Sequence, residues 1–82
     1  MNFPRYYYEF DIPEADFVAY SKAKGFTLEG ILEPVSAARY PGAQEIEPVT
    51  SGLYYRNRKE DIFDLLVYDR KSGRAYVFFQ IR

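Results

Sequence analysis

The reactive side chains that this sequence lacks limit its chemistry more than those it contains. Its 82 residues include no histidine and no cysteine. The commonest general base, the usual zinc ligands and the thiolate nucleophile are therefore missing. Carboxylate, Lys, Tyr and Ser chemistry remains, but the sequence has no glycine-rich phosphate loop, nucleophile elbow or metal-ligand spacing. We therefore predict a protein that is not an enzyme and that carries no cofactor and no metal.

Carboxylates would have to carry any catalysis. A pair of them can act as general acid and base, or can hold Mg²⁺ with water completing the coordination shell. The candidates are Asp61, Asp64, Asp69, Glu45 and Glu47. Such pairs arise often by chance, so a small carboxylate-dependent enzyme is the function that the sequence supports least.

Asp64 is the most unusual of these acids because it shares one face of a predicted strand with Ile62, Leu66 and Tyr68. Burying an unpaired carboxylate there would be costly. We favour a structural explanation, which is either a salt bridge to a neighbouring strand or a charge that protects a sheet edge from aggregation. The candidate salt-bridge partners are Arg56, Arg58 and Arg74.

Rings and cations are interleaved in residues 53–59, and a nearby hairpin adds more of both. Such a surface can stack single-stranded bases while Arg and Lys neutralise phosphates. The residues that would do so are Tyr54, Tyr55, Arg56, Arg58, Arg74 and Tyr76. The same residue types are ordinary on the solvated face of a strand, and the pI near 5.4 lies far below the value above about 9 that is typical of dedicated binders. Single-stranded nucleic-acid binding is therefore the alternative function.

The aromatic content favours protein binding. Nine tyrosines and seven phenylalanines exceed what one helix packed on one sheet readily encloses, and Tyr and Arg are enriched at interface hot spots. The leading hypothesis is a non-catalytic interaction, accessory or inhibitor module that binds itself or another protein, with a symmetric homodimer as its simplest form. The predicted partner-binding residues are Tyr54, Tyr55, Arg56, Arg58, Tyr76, Phe78, Arg39 and Tyr40.

The length predicts one α+β domain over residues 1–82. No segment approaches the roughly 20 apolar residues of a transmembrane helix, and residues 1–5 lack the apolar run of a signal peptide. We therefore predict a cytoplasmic protein that makes no membrane contact.

The first third of the chain predicts a strand followed by a helix. An apolar row alternates with a more polar one, which is typical of a strand with one buried and one solvated face. The apolar row consists of Tyr6, Tyr8, Phe10 and Ile12. A helix is predicted over residues 13–24, with Asp11 and Glu14 as a capping box and Gly25 at the C-terminal end.

The middle of the chain is less regular. Residues 30–35 predict a short strand, which Pro34 weakens. Residues 36–50 predict a long loop with a turn at Tyr40, Pro41 and Gly42. Loops of this length are often functional, so this one is a candidate site by its position.

The last third predicts an antiparallel meander of three strands at residues 53–58, 62–69 and 74–81, with turn residues at 71–73. The final strand is apolar on both faces, which indicates a strand covered on both sides. The predicted fold is α+β, with a single helix on a four- to five-stranded, mainly antiparallel sheet in the order β-α-(β)-loop-β-β-β. Because one helix covers one face, the long loop, a second copy of the chain or a ligand must cover the other.

Overall fold

A computed structural model describes residues 5–36, 48–58 and 62–81, which form one helix packed against a five-stranded antiparallel sheet, as predicted. The sheet order is β1-β5-β4-β3-β2. The helix is α1 (Glu14–Ala23), and the strands are β1 (Arg5–Asp11), β2 (Glu29–Gly30), β3 (Gly52–Arg58), β4 (Ile62–Asp69) and β5 (Arg74–Ile81). The N-terminal strand therefore lies at one edge of the sheet, beside the C-terminal strand.

The C-terminal meander matches its predicted bounds closely, since only β3 begins one residue earlier, at Gly52. The β4–β5 register runs from Ile62 opposite Ile81 to Asp69 opposite Arg74. Gly73 closes the connecting turn at a φ of 72°, a conformation that glycine adopts without steric cost. These strands form because their apolar residues fill both faces of the sheet.

The helix ends as predicted but begins differently. Pro13 is the N-cap residue and no side chain caps the first turn, so the predicted capping box is wrong. At the other end Phe26 N–H donates to Ser21 O and Gly25 N–H donates to Lys22 O, which is the Schellman pattern with glycine just beyond the helix. Within the described residues, no helix has the length and apolar content needed to cross a membrane.

The helix covers one face of the sheet, here called the helix face. Phe17 is its main anchor: the ring is 1% exposed and its centroid lies 5.2 Å from that of Tyr68. The Tyr68 hydroxyl donates to the backbone carbonyl of Ile12 at 3.0 Å, which fixes the connection between β1 and α1. The buried residues of this cluster are Phe17, Leu66, Tyr68, Ala75 and Val77.

The second face is partly covered by the chain itself, through the last residue of the predicted strand and a residue near the end of the long predicted loop. The strand predicted at residues 30–35 is reduced to β2, but Val35 and Val49 form an isolated antiparallel bridge and are both buried. They join a core cluster with Leu65, Val67 and Tyr76. The turn predicted at Tyr40, Pro41 and Gly42 lies outside the described residues.

Candidate interaction surface

Three aromatic residues of β1 form an exposed row on the helix face, which we call the aromatic stripe: Tyr6, Tyr8 and Phe10. Their exposed fractions are 47%, 52% and 38%. The alternation predicted that this apolar row would be the buried side of the strand, and that prediction is wrong for these three residues. Tyr7 and Glu9, on the other side of β1, are half-buried instead.

The position of β1 explains the exposure of the stripe. In the β1–β5 register, Tyr6, Tyr8 and Phe10 lie opposite Phe79, Val77 and Ala75. Val77 and Ala75 are buried because they pack in the cluster with Phe17 of α1. One short helix reaches the central strands, and the edge strand lies beside it. The rings of β1 thus border the helix-face core without being enclosed by it.

The backbone of β1 has an outer edge as well as an exposed face. Ile12 N–H donates to Gly73 O at 3.0 Å. Successive backbone groups alternate in direction along a strand, so the even-numbered residues of β1 bond to β5. The N–H and C=O groups of Tyr7, Glu9 and Asp11 therefore point away from the sheet. Among the described strands, none pairs with this outer edge.

An ion-pair network holds the opposite face of β1 to β5. Arg74 Nη1 lies 2.9 Å from Glu9 Oε1, and Arg74 Nε lies 3.1 Å from Asp11 Oδ1. The hydrogen bond and charge of Asp11, followed by the hydrogen bond of Glu9, raise the pKa of the Arg74 guanidinium. Tyr7 adds a hydrogen bond from its hydroxyl to Glu9 Oε2 at 3.1 Å. The network fixes β1 in register and leaves the aromatic stripe on the other side.

A second ion pair ties α1 to the β4–β5 turn. Arg70 Nε lies 2.7 Å from Glu14 Oε1, and Arg70 Nη2 lies 3.2 Å from Glu14 Oε2. The hydrogen bond from Arg70 lowers the pKa of the Glu14 carboxyl and correspondingly raises that of the Arg70 guanidinium. Glu14, predicted as a capping residue, serves instead to bind the start of the helix to the turn.

The predicted partner-binding residues of β3 lie on both faces of the sheet. Tyr55 is on the helix face, where its ring stacks on Phe26 with centroids 4.6 Å apart. Tyr54, Arg56 and Arg58 are on the second face, because residues alternate along the strand. The two arginines are exposed and Tyr54 is half-buried.

Two other predicted site residues, Tyr76 and Phe78, belong to the second face. Tyr76 is 8% exposed and is part of the core there. Phe78 is half-buried and makes an edge-to-face contact with Phe63, with centroids 5.5 Å apart. Arg39 and Tyr40 lie outside the described residues. The partner-binding role of this set stays a prediction, but Tyr76 offers little ring surface to a partner.

A shallow groove of about 630 Å³ lies where β2 meets β3. Its lining includes Glu29, Glu33, Tyr54 and Arg56, beside Leu32, whose side chain is 96% exposed. A hydrogen bond to Glu29 and the negative charge of that carboxylate raise the pKa of the Tyr54 hydroxyl. The groove is mixed in charge and open to solvent.

Of the five candidate carboxylates, Asp61, Glu45 and Glu47 lie outside the described residues. In the part of the chain that the structure describes, no group of three or more metal-ligating side chains occurs. Asp64 lies on the helix face, opposite Asn57 and Phe79. The predicted salt bridge is wrong, because its candidate partners are on the second face: Arg56, Arg58 and Arg74. The edge-strand explanation is also wrong, because β4 lies between β5 and β3. Asp69 Oδ1 accepts a hydrogen bond from the Lys71 backbone, which is a turn contact.

Sequence reasoning missed Tyr6 and Tyr8 as candidates because alternation indicates which residues share a face, not what lies over that face. A scan of family models and searches of curated proteins and of solved structures find no match to this chain. The aromatic stripe and the outer edge of β1 are therefore interpreted from their own geometry.

Proposed function

We propose that this protein is a non-catalytic protein-binding module that uses the aromatic stripe of β1 as its contact surface. The observation that carries this proposal is the exposure of Tyr6, Tyr8 and Phe10 in one row on an edge strand. Rings with this geometry supply large contact area at small entropic cost, and tyrosine also tolerates partial solvation.

Site-specific photocross-linking in the native host cell tests the proposal. A benzophenone amino acid at position 8 should form protein adducts, whereas the same group at the exposed helix residue Ala19 should not. Mass spectrometry of the adducts identifies the partner peptide. Equal adduct formation at the two positions would contradict the proposed surface.

Single-stranded nucleic-acid binding is a second candidate, favoured by the exposure of Arg56 and Arg58 on one face beside Tyr54. The other residues assigned to it support it less, because Tyr76 is buried and Arg74 is paired with two carboxylates. Binding of a fluorescent oligonucleotide that weakens with salt and is lost in Arg56→Gln would support this function. Absence of binding at low salt would exclude it.

A further inference from the structure

We propose that Asp64 binds an arginine of a partner protein that docks on the aromatic stripe. This inference rests on the proposed function and names the chemistry of the partner segment, which is an arginine with apolar residues beside it. It follows from the position of Asp64 at the open end of the helix face, from the charges around it and from the rings in the same row.

Asp64 lies at the end of the helix face that α1 does not cover. The buried cluster beneath the helix contains Leu66 and Tyr68 of β4, and Asp64 precedes them on the same face of that strand. Exposure rises along the strand in this direction, since Leu66 is 0% exposed and Ile62 is 41% exposed. Asp64, between them, is half-buried, so a partner can reach part of its surface.

The register of the sheet joins Asp64 to the aromatic stripe. Asp64 is opposite Phe79 of β5, and Phe79 is opposite Tyr6 of β1. The three residues therefore form one row across adjacent strands on the helix face, with neighbouring Cα atoms about 4.5 to 5.5 Å apart. A partner segment that contacts Tyr6 and Tyr8 can thus reach Asp64 by crossing one strand.

The charge of Asp64 is not neutralised by the residues that the structure describes. Arg56, Arg58 and Arg74 are on the second face, and Arg70 is paired with the first turn of the helix. None of the described ion pairs includes Asp64. The open end of the helix face therefore combines aromatic and aliphatic surface with one negative charge, and it is complementary to an apolar segment that carries a cation.

Arginine is the cation that best fits a carboxylate beside a ring. A guanidinium can bind a carboxylate through two parallel hydrogen bonds, and its plane stacks on aromatic faces. Phe79 is half-buried and lies next to Asp64, so one guanidinium can contact both side chains. A lysine ammonium is more strongly hydrated and lacks the planar fork. Apolar residues beside the arginine then contact Tyr6 and Ile62, which are both exposed.

Photocross-linking from position 8 in the native host cell tests the role of Asp64. Asp64→Asn keeps the shape of the side chain and removes its charge, so it should lower the yield of partner adducts several-fold. Asp16→Asn makes the same change at an exposed helix residue and should leave the yield unchanged. Mass spectrometry should place an arginine within about five residues of the cross-linked site, the length of an extended segment that spans the row.

A synthetic peptide with the sequence of the cross-linked segment distinguishes pairing from a structural effect of the substitution. Replacing its arginine by citrulline, which has a similar shape and no charge, should weaken binding to the unmodified chain about tenfold in fluorescence anisotropy. The same replacement should have little effect on binding to Asp64→Asn, because the pair is then already broken. Equal binding of the two peptides to the unmodified chain would overturn the inference without any substitution in the protein.

The outcomes separate this inference from the proposed function on which it rests. Position-8 adducts that form equally in Asp64→Asn and Asp16→Asn, or whose segments lack arginine, overturn the arginine contact and leave the binding module intact. Adducts formed only between two copies of this chain do the same, because the occupant would then be the chain itself. Absence of adducts at position 8 overturns both.

Discussion

Two groups of rings in this sheet have opposite environments. Phe17, Tyr68 and Tyr76 are enclosed, either beneath the helix or beneath the Val35–Val49 bridge. Tyr6, Tyr8 and Phe10 lie on the same sheet but remain exposed. The residue types are the same, so composition does not explain the contrast. What differs is whether another segment of the chain reaches the strand.

This comparison separates two roles for aromatic residues in a small domain. In the central strands a ring fills the core and is needed for folding. At the edge strand the same ring contributes little to the fold and is available for contact with a partner. Substitutions of the enclosed rings should therefore lower the free energy of unfolding. Substitutions in the aromatic stripe should mainly weaken association with a partner.

Matched phenylalanine substitutions test this contrast with the largest expected effect. Phe17→Ala removes a fully buried ring and should lower the free energy of unfolding by about 3 to 5 kcal/mol. Phe10→Ala, at a partly exposed site, should lower it by about 1 kcal/mol or less. Urea unfolding at one low protein concentration measures both. Similar losses for the two variants would show that the aromatic stripe is part of the core.

Valine substitutions test whether the Val35–Val49 bridge is a true cover of the second face. Val49→Ala should lower the free energy of unfolding by about 2 kcal/mol, because Val49 is buried against the core there. Val18→Ala, at an exposed helix site, should change it by about 0.5 kcal/mol or less. If Val49→Ala lowered the free energy of unfolding no more than Val18→Ala in the same urea titration, the bridge would not cover the core of the second face.

Substitution of a buried serine of the helix should stabilise the fold. Ser21 is fully buried and its hydroxyl has no hydrogen-bond partner among the described residues. Ser21→Ala removes a desolvated polar group and improves helix propensity, so it should raise the free energy of unfolding by about 1 kcal/mol. Ser72→Ala, in the exposed turn, is the control and should have little effect. A loss of stability in Ser21→Ala would mean that its hydroxyl has a partner after all.

The smallest expected effect is the pH dependence that the Glu14–Arg70 pair gives to the free energy of unfolding. The pKa of Glu14 is lowered in the folded chain from its ordinary value of 4.5. The pair therefore contributes stability above pH 4.5, and this contribution is lost as pH falls through the lower folded value. The side chains of Arg70 and Glu14 are 54% and 39% exposed, so solvent screens the pair and the contribution is small. Arg70→Gln should flatten the loss of stability below pH 4.5, whereas Lys22→Gln, which has the same change in charge, should not.

The sequence was most informative where the pattern is local. The meander was predictable because three runs rich in β-branched and aromatic residues are separated by polar segments. Gly73 and Gly25 have the conformations that a tight turn and a helix end require. The helix was predictable from its spacing. Its first turn was mispredicted because Glu14 reaches Arg70, a residue distant in the chain.

The candidate surface was not predictable because it depends on sheet order. Alternation placed Tyr6, Tyr8 and Phe10 on one face, but only the order β1-β5-β4-β3-β2 places them at an edge beyond the reach of α1. The bridge between Val35 and Val49 joins two separated positions, and neither position carries a strong strand pattern of its own. Long-range contacts of this kind decide which rings are covered.

Comparison of photocross-linking at positions 8 and 19 tests the central claim most directly, because both positions are exposed and only position 8 lies in the aromatic stripe. We expect a benzophenone amino acid at position 8 to form protein adducts in the native host cell, and the same group at position 19 to form few or none. Equal adduct formation at the two positions would contradict the aromatic stripe as a contact surface.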